Sequence, residues 1–443
     1  MDAGLYQYRP PIVLGNHRLR TLAAALGPAN VRVSGTWANT TYFADTDRAP
    51  DRPPPSFGRV LTREQWRGVV DFAHAVDAHI VSSFAISPGT RNRDGVWTPG
   101  LARRWLHYTG SIGGRIAAAE FMNEPDMAAL GGAPAGYDAA AYGRDFKVFK
   151  AFADQDAPAM TILGPGSVGE TLGPWSPTYG TRGVVHTADM LAAGGAAVDA
   201  FSYHHYGAAS QRCASLGMPS TTAQDALTED WLGRTSRTRA FYGGLRDSYS
   251  PGKPLWLTET AESACGGNPW AATFLDSFRY LDQLGRLARE GVQVLAHNTL
   301  AASDYGLLNE TDFTPRPNYW AALLWRRLMG TTVLDSGVPL QQGMHLYAHC
   351  QAGVPGGVTL LAINNDRTEA RTIHLPVASE RYTLAADELA AGTVRLNGQP
   401  MALGPGDALP ALSGAQTDAG DQTLAPATIT FLTIPTAGNP ACS

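Results

Sequence analysis

The sequence predicts an α/β chain, a (β/α)8 barrel followed by a C-terminal β-sandwich, and three observations carry that prediction. Short β-branched or apolar runs alternate with helical stretches through the first part of the chain, which implies parallel strands joined by crossover helices. After Asp335 the texture changes, and strand-like runs follow one another with turns between them and no strong amphipathic helix. The 48 Gly and 30 Pro among 443 residues supply the many tight connections that both architectures need. The expected division is residues 1–335 for the barrel and 336–443 for the sandwich.

In chain order, the barrel strands read as Val31–Gly35, His79–Ile86, Ala117–Glu124, Thr161–Gly164, Ala200–Tyr206, Pro254–Thr260 and Val292–Thr299. Between them lie helices such as Arg18–Leu26, Arg63–Val76, Ala139–Gln155 and Pro269–Arg289. The last carries Phe274, Phe278, Leu281, Leu284 and Leu287 at helical spacing. Seven strands are one short of a closed barrel, so the first is expected to end near Met1. The sandwich strands read as His345–Cys350, Val358–Asn365, Ala370–Leu375, Arg381–Ala386, Thr393–Leu396 and Ala427–Ile434, with Asn397–Thr423 as a long surface loop.

At 44% hydrophobic and 16% charged residues, the chain is a folded one rather than a disordered one. No run of eighteen apolar residues occurs, so no membrane-spanning helix is expected. A net charge of -5, with lysine only at Lys147, Lys150 and Lys253, argues against nucleic-acid binding. Cys213, Cys265, Cys350 and Cys442 show no CxxC or Cys/His spacing, so no zinc site is expected. Arithmetic alone leaves three pairings open. No leader segment is visible at Met1.

Barrel enzymes carry their chemistry at the C-terminal ends of the strands. Two predicted strands end there in glutamate: Glu124, within Asn123-Glu124-Pro125, and Glu259, within Leu255–Thr260. Counting the missing strand, they close strands four and seven. Hydrolysis of a glycosidic bond with retention needs two carboxyl groups about 5–5.5 Å apart, one protonated and one ionised. Asn123 beside the acid can hydrogen-bond a sugar 2-hydroxyl, and Pro125 biases the Glu124 backbone away from the helical region.

At these residues the chain resembles the clan A retaining glycoside hydrolases, and more specifically glycoside hydrolase family 79, the heparanases and related β-glucuronidases. The resemblance runs through Leu19–Leu22, Arg32–Thr36, Glu120–Pro125, Asp199–Tyr206, Leu255–Thr260 and Cys265–Gly267, then Asp304–Leu307, Pro317–Trp320, Leu346–Cys350 and Ala441–Cys442. It implies a bacterial, single-chain endo-β-glucuronidase that cuts heparan sulfate at internal GlcA-β-1,4-GlcNAc linkages by double displacement. Glu124 would be the acid/base and Glu259 the nucleophile. Arg32 would keep the nucleophile ionised, its plainer reading being an ion pair with Glu120. Gly266 and Gly267 would bind the glucuronate carboxylate through their N–H groups and Tyr305 through its hydroxyl. His204 would lie near the aglycone side of the cleft, and Asp2 and Thr36 would contact the first sugar.

The same resemblance implies a Cys350–Cys442 disulfide in the sandwich, hence an oxidising compartment, secreted or periplasmic. It implies no cofactor or metal and a monomer acting on a glucuronic-acid-containing glycosaminoglycan, without nucleic-acid or membrane partners. A Cys213–Cys265 bridge stays open. The run Gly164–Leu172 departs from the vertebrate pattern by carrying Glu170 and no arginine, which bears on how sulfate groups are read. Compensating cations would come from Arg91, Arg93, Arg103, Arg104, Arg212 or Arg316. The alternatives are an exo-acting β-glucuronidase and a non-catalytic carbohydrate-binding protein. Loss of either glutamate would mark the last, and both are present.

Overall fold

The structure is a computed structural model that describes residues 12–48, 50, 52–170, 184–195, 197–216 and 219–443. Its first sheet holds seven described strands: β1 (Ala29–Val33), β2 (Ala78–Ser83), β3 (Ile116–Glu120), β4 (Thr161–Ser167), β5 (Ala200–Tyr206), β6 (Leu255–Ala261) and β7 (Val292–His297). They lie side by side in chain order and every pairing is parallel. An open doubly wound sheet would reverse its strand order at a switch point. Here there is no reversal, as in a nearly closed barrel. Strands β1 and β7 are its two edges. The expected extra strand near Met1 falls on residues outside those described.

Crossover helices cover the sheet: α1 (His17–Ala25), α2 (Arg63–Ala75), α3 (Gly100–Ser111), α4 (Ala139–Asp156), α5 (Thr187–Gly194), α6 (Glu229–Tyr249), α7 (Phe274–Arg289) and α8 (Pro317–Leu328). Helix α2 starts at a capping box in which the Thr62 hydroxyl accepts from Gln65 N–H and the Gln65 side chain accepts from Thr62 N–H. The first residues of the expected helix over 269–289 form a separate 3-10 turn, Pro269–Ala272.

The second domain is a large antiparallel sheet over a smaller one. In the large sheet β8 (Met329–Leu334), β9 (His345–Gln351), β10 (Val358–Asn364), β14 (Thr428–Ile434) and β12 (Ser379–Ala385) neighbour one another in that order. The small sheet pairs β11 (Arg371–Leu375) with β13 (Gly420–Leu424). Period-two alternation sorts the side chains into two layers. Leu361, Ile363, Phe431 and Leu384 join Phe278, Leu281 and Leu324 of the barrel helices in one core. On the opposite face, Leu360, Leu432 and Ile434 meet Ile373 and Leu375.

Two sequence expectations change here. Strand β8 begins at Met329, inside the range assigned to the barrel, because α8 runs directly into it and Met329 pairs with Gln351. The segment Asn397–Thr423 is not only loop: it contributes short strands at Gln399–Pro400 and Ala415–Thr417 and part of β13. Those strands are polar and at edges, so they leave no apolar alternation to read.

The two domains are joined by buried charge as well as by apolar packing. His345 on β9 is fully buried between barrel residues, its Nδ1 2.5 Å from Asp282 and its Nε2 2.7 Å from Glu229. Arg286 and Tyr347 also donate to Asp282, each at 2.6 Å. Cys350–Cys442 is a disulfide that ties β9 to the last residues described.

Candidate active site

Glu124 lies four residues beyond the end of β3, and Glu259 lies inside β6 rather than at its end. The strand count between them is three, as the sequence reading required. Glu124 has left-handed backbone angles, φ 47° and ψ 63°, instead of the extended ones expected before proline. For a non-glycine residue this conformation costs on the order of 1–3 kcal/mol and is kept where the surroundings overdetermine it. Asn39 supplies part of that constraint: its amide donates to Asn123 O and its carbonyl accepts from Asn123 N–H, both at 2.9 Å. Asn39 sits in a short 3-10 turn with no periodicity, so no sequence signal marked it.

One oxygen of Glu124, one of Glu259 and a nitrogen of His204 lie within 4.8 Å of one another. Arg32, on β1, reaches this cluster with three acceptors around it. It donates to Glu259 at 2.5 Å, to Glu120 at 2.9 Å and to the Asn123 side chain at 2.8 Å. The ion pair with Glu120 and the contact with Glu259 are therefore both present. Glu120 also accepts from Thr258 Oγ1 at 2.6 Å, and Glu259 accepts from the Tyr206 hydroxyl at 2.6 Å. Such a three-atom group would also suit a cation, but Arg32 and His204 already meet the carboxylates there.

The two carboxyl groups are driven apart in acidity. Burial raises Glu124, and the nearby Glu259 charge adds to that, against the opposing His204 hydrogen bond. Burial also disfavours the Glu259 carboxylate, but His204, Arg32 and the Tyr206 hydrogen bond outweigh it and hold the group below its ordinary range. Glu120 is likewise held low: Arg32, His204 and Thr258 overcome its burial.

His204 is fully buried in contact with the carboxylates. Its Nδ1 is 3.0 Å from Glu124 and its Nε2 is 3.2 Å from Arg32 Nη2. Burial depresses the imidazole and Arg32 opposes its charge, while Glu259, Glu120 and Glu124 pull it up to about 9. Geometry and field thus disagree. A guanidinium has only donors, so a ring protonated on both nitrogens would set two donors against each other at 3.2 Å. We therefore read Nε2 as an acceptor and Nδ1 as the protonated nitrogen that donates to Glu124, a contact that opposes the rise in Glu124 that burial and the Glu259 charge produce.

The other predicted residues divide. Gly266 and Gly267 follow β6 in a left-handed turn, φ 85° and 79°, which glycine adopts without steric cost. A Cβ on Gly267 would come within 3.0 Å of the Tyr305 ring. Tyr305 is buried, and its hydroxyl accepts from Asn298 at 3.2 Å. Asn298 also donates to the Tyr206 hydroxyl at 2.9 Å, so Tyr305, Asn298, Tyr206 and Glu259 form one hydrogen-bonded chain. Thr36 opens the 3-10 turn after β1, half-buried. Asp2 lies outside the described residues. Cys213 and Cys265 are bridged, which settles the pairing the sequence left open. Tyr206 and Asn298 were not singled out from sequence. Period two from His204 places Tyr206 on the same face of β5, a readable signal for the first.

No family model matches the chain. It is 31% identical to Heparanase-like protein 1 of Arabidopsis thaliana over 61% of this chain and 47% of that protein. It is 28% identical to heparanase of Mus musculus over 94% of this chain and 84% of that one. It is 32% identical to baicalin-beta-D-glucuronidase of Scutellaria baicalensis over 45% and 40% of the two chains. Among solved structures, a 4-O-alpha-L-rhamnosyl-beta-D-glucuronidase from Fusarium oxysporum superposes with a TM-score of 0.67 over 97% of this chain and 93% of that one, at 13% identity. That likeness speaks to the fold alone. The sequence likeness is thus to heparanases and a β-glucuronidase, at 28–32% identity, and it supports a heparanase-like glycoside hydrolase of the family 79 kind.

Proposed function

We propose that the chain is an exported, monomeric, retaining endo-β-glucuronidase acting on internal GlcA-β-1,4-GlcNAc linkages of heparan sulfate or a related glycosaminoglycan. The observation that carries this reading is the short separation of the Glu124 and Glu259 oxygens, within 4.8 Å. Inverting enzymes leave about 6.5–9.5 Å for a water between their carboxyl groups, and retaining ones about 5–5.5 Å. Glu124, held protonated, gives its proton to the leaving oxygen while ionised Glu259 attacks the anomeric carbon. The bond from carbon to Glu259 replaces the bond to the leaving sugar. Glu124 then takes a proton from water, whose oxygen displaces Glu259.

Gly266, Gly267 and Tyr305 would receive the glucuronate carboxylate, Asn123 the 2-hydroxyl, and Thr36 and Asp2 the first sugar. Two disulfides fit an oxidising compartment. The catalytic domain would give way to the sandwich domain near the start of β8 at Met329. The exo-acting alternative draws on the plant β-glucuronidase relative.

Product lengths from defined heparan sulfate oligosaccharides separate the two, since release of free glucuronic acid alone would exclude the endo reading. Proton NMR of the first product tests the stereochemistry, and an initial α-anomer would exclude retention. Glu124→Ala and Glu259→Ala should each lower turnover by ~10³-fold or more with the fold intact. Turnover near wild type in either would remove that glutamate from the catalytic pair.

A further inference from the structure

Three loops at the C-terminal end of the barrel are knitted into one unit around the Gly266-Gly267 turn. Ala209 and Ala264 form a parallel bridge, with Ser210 N–H donating to Ala264 O and Ala264 N–H to Ala208 O, both at 2.9 Å. Gln211 N–H donates to the Asn268 side chain at 2.9 Å. Asn268 in turn is held by the buried Glu262 carboxyl, which accepts from its N–H at 2.8 Å and from its amide at 3.0 Å. The Cys213–Cys265 disulfide closes the same two loops. Beside it, Arg212 pairs with Asp304, the neighbour of Tyr305, and donates to Gly266 O at 3.4 Å. Asp304 N–H donates to that same carbonyl at 3.0 Å.

The Gly266 carbonyl is thus gripped from two loops. In a trans peptide, C=O and the following N–H point in opposite directions. Anchoring Gly266 O therefore fixes the direction of Gly267 N–H, one of the two amides assigned to the substrate carboxylate. Cys265, Gly266 and Gly267 all have left-handed backbone, φ 62°, 85° and 79°, and three such residues in a row will not hold one conformation without external restraint.

We propose that Arg212 and the Cys213–Cys265 disulfide are positioning residues that aim the Gly267 amide, and so set the preference for a sugar bearing a carboxylate over its neutral counterpart. The proposal rests on the carboxylate-binding reading of Gly266, Gly267 and Tyr305 given above. It differs from a general stabilising role because it acts on one class of ligand.

The test is the affinity of the full chain for methyl β-D-glucuronide and for methyl β-D-glucoside, measured by isothermal titration. Arg212→Met should weaken glucuronide binding about tenfold, the loss of one well-aimed charge-assisted hydrogen bond, and leave the glucoside unchanged. Arg212→Lys should recover part of the loss, because it keeps a cation against Asp304. The Cys213→Ala/Cys265→Ala double variant should shift the ratio in the same direction, with circular dichroism reporting its fold. Equal losses on both sugars, or a ratio within about twofold of wild type in both Arg212→Met and the double variant, would overturn the proposal. Tyr305→Phe separates it from the reading beneath it. If wild type prefers the glucuronide and Tyr305→Phe reduces that preference while the clasp variants do not, only the clasp is wrong. If wild type binds the two sugars alike, the carboxylate reading fails and the clasp with it.

Discussion

Replacing Arg32 with methionine tests the electrostatic core of the site. The side chain is 8% exposed and donates to both Glu120 and Glu259, so Arg32→Met keeps much of the apolar stem and removes the one guanidinium between two buried carboxylates. Breaking a buried ion pair by deleting one partner costs about 3–5 kcal/mol, because the remaining charge is left uncompensated. The sign with pH follows from the directions of the shifts. Glu120 and Glu259 are both depressed in the folded protein, so their contribution to stability is present above the ordinary carboxylate range and is lost as pH falls through their folded values. Without Arg32 that contribution disappears, and burial then favours their neutral forms. The difference in urea-unfolding free energy between wild type and Arg32→Met should be largest at neutral pH and narrow as pH falls below the ordinary carboxylate range. The acid limb of the kcat/KM profile should move to higher pH as Glu259 becomes easier to protonate. A stability difference that stays constant as pH falls through and below the ordinary carboxylate range would refute the reasoning.

Further outcomes follow from other contacts. Tyr206→Phe removes the 2.6 Å hydrogen bond to Glu259 and should lower kcat by roughly 10–100-fold while leaving the midpoint of thermal unfolding near wild type. An unchanged kcat would remove Tyr206 from the site. His345 is raised to about 9, since Asp282 and Glu229 outweigh its burial. Its stabilising charge is complete below its ordinary value and lost as pH rises through about 9. Wild type should lose stability over that alkaline interval more steeply than His345→Asn, by unfolding at fixed denaturant, and parallel curves would count against the interdomain lock. Opening the Cys350–Cys442 bridge, which spans 92 residues, with a double serine variant should cost about 2–5 kcal/mol. The loss should appear as earlier unfolding of the sandwich.

The sequence by itself determined the alternation of strands and helices, the change to β structure after the barrel, and the two glutamates three strands apart. Each is a local or periodic property: β-branched runs ending in small residues, the stripe on α7, and an Asn-Glu-Pro turn. Strand ranges such as Ala200–Tyr206 were legible to the residue. What only the tertiary structure decided is how charges far apart in the chain share protons. Arg32 meets Glu259 across 227 residues and Glu120 across 88, and no local pattern encodes which of these partners wins, or that it is both. The same holds for His204, which the resemblance placed near the aglycone side and which is buried in contact with Glu124 across 80 residues, and for Asn39, which holds Asn123 across 84 residues. The difference in acidity between Glu124 and Glu259 comes from burial acting on both and from partners that differ, and burial exists only once the chain has folded around them.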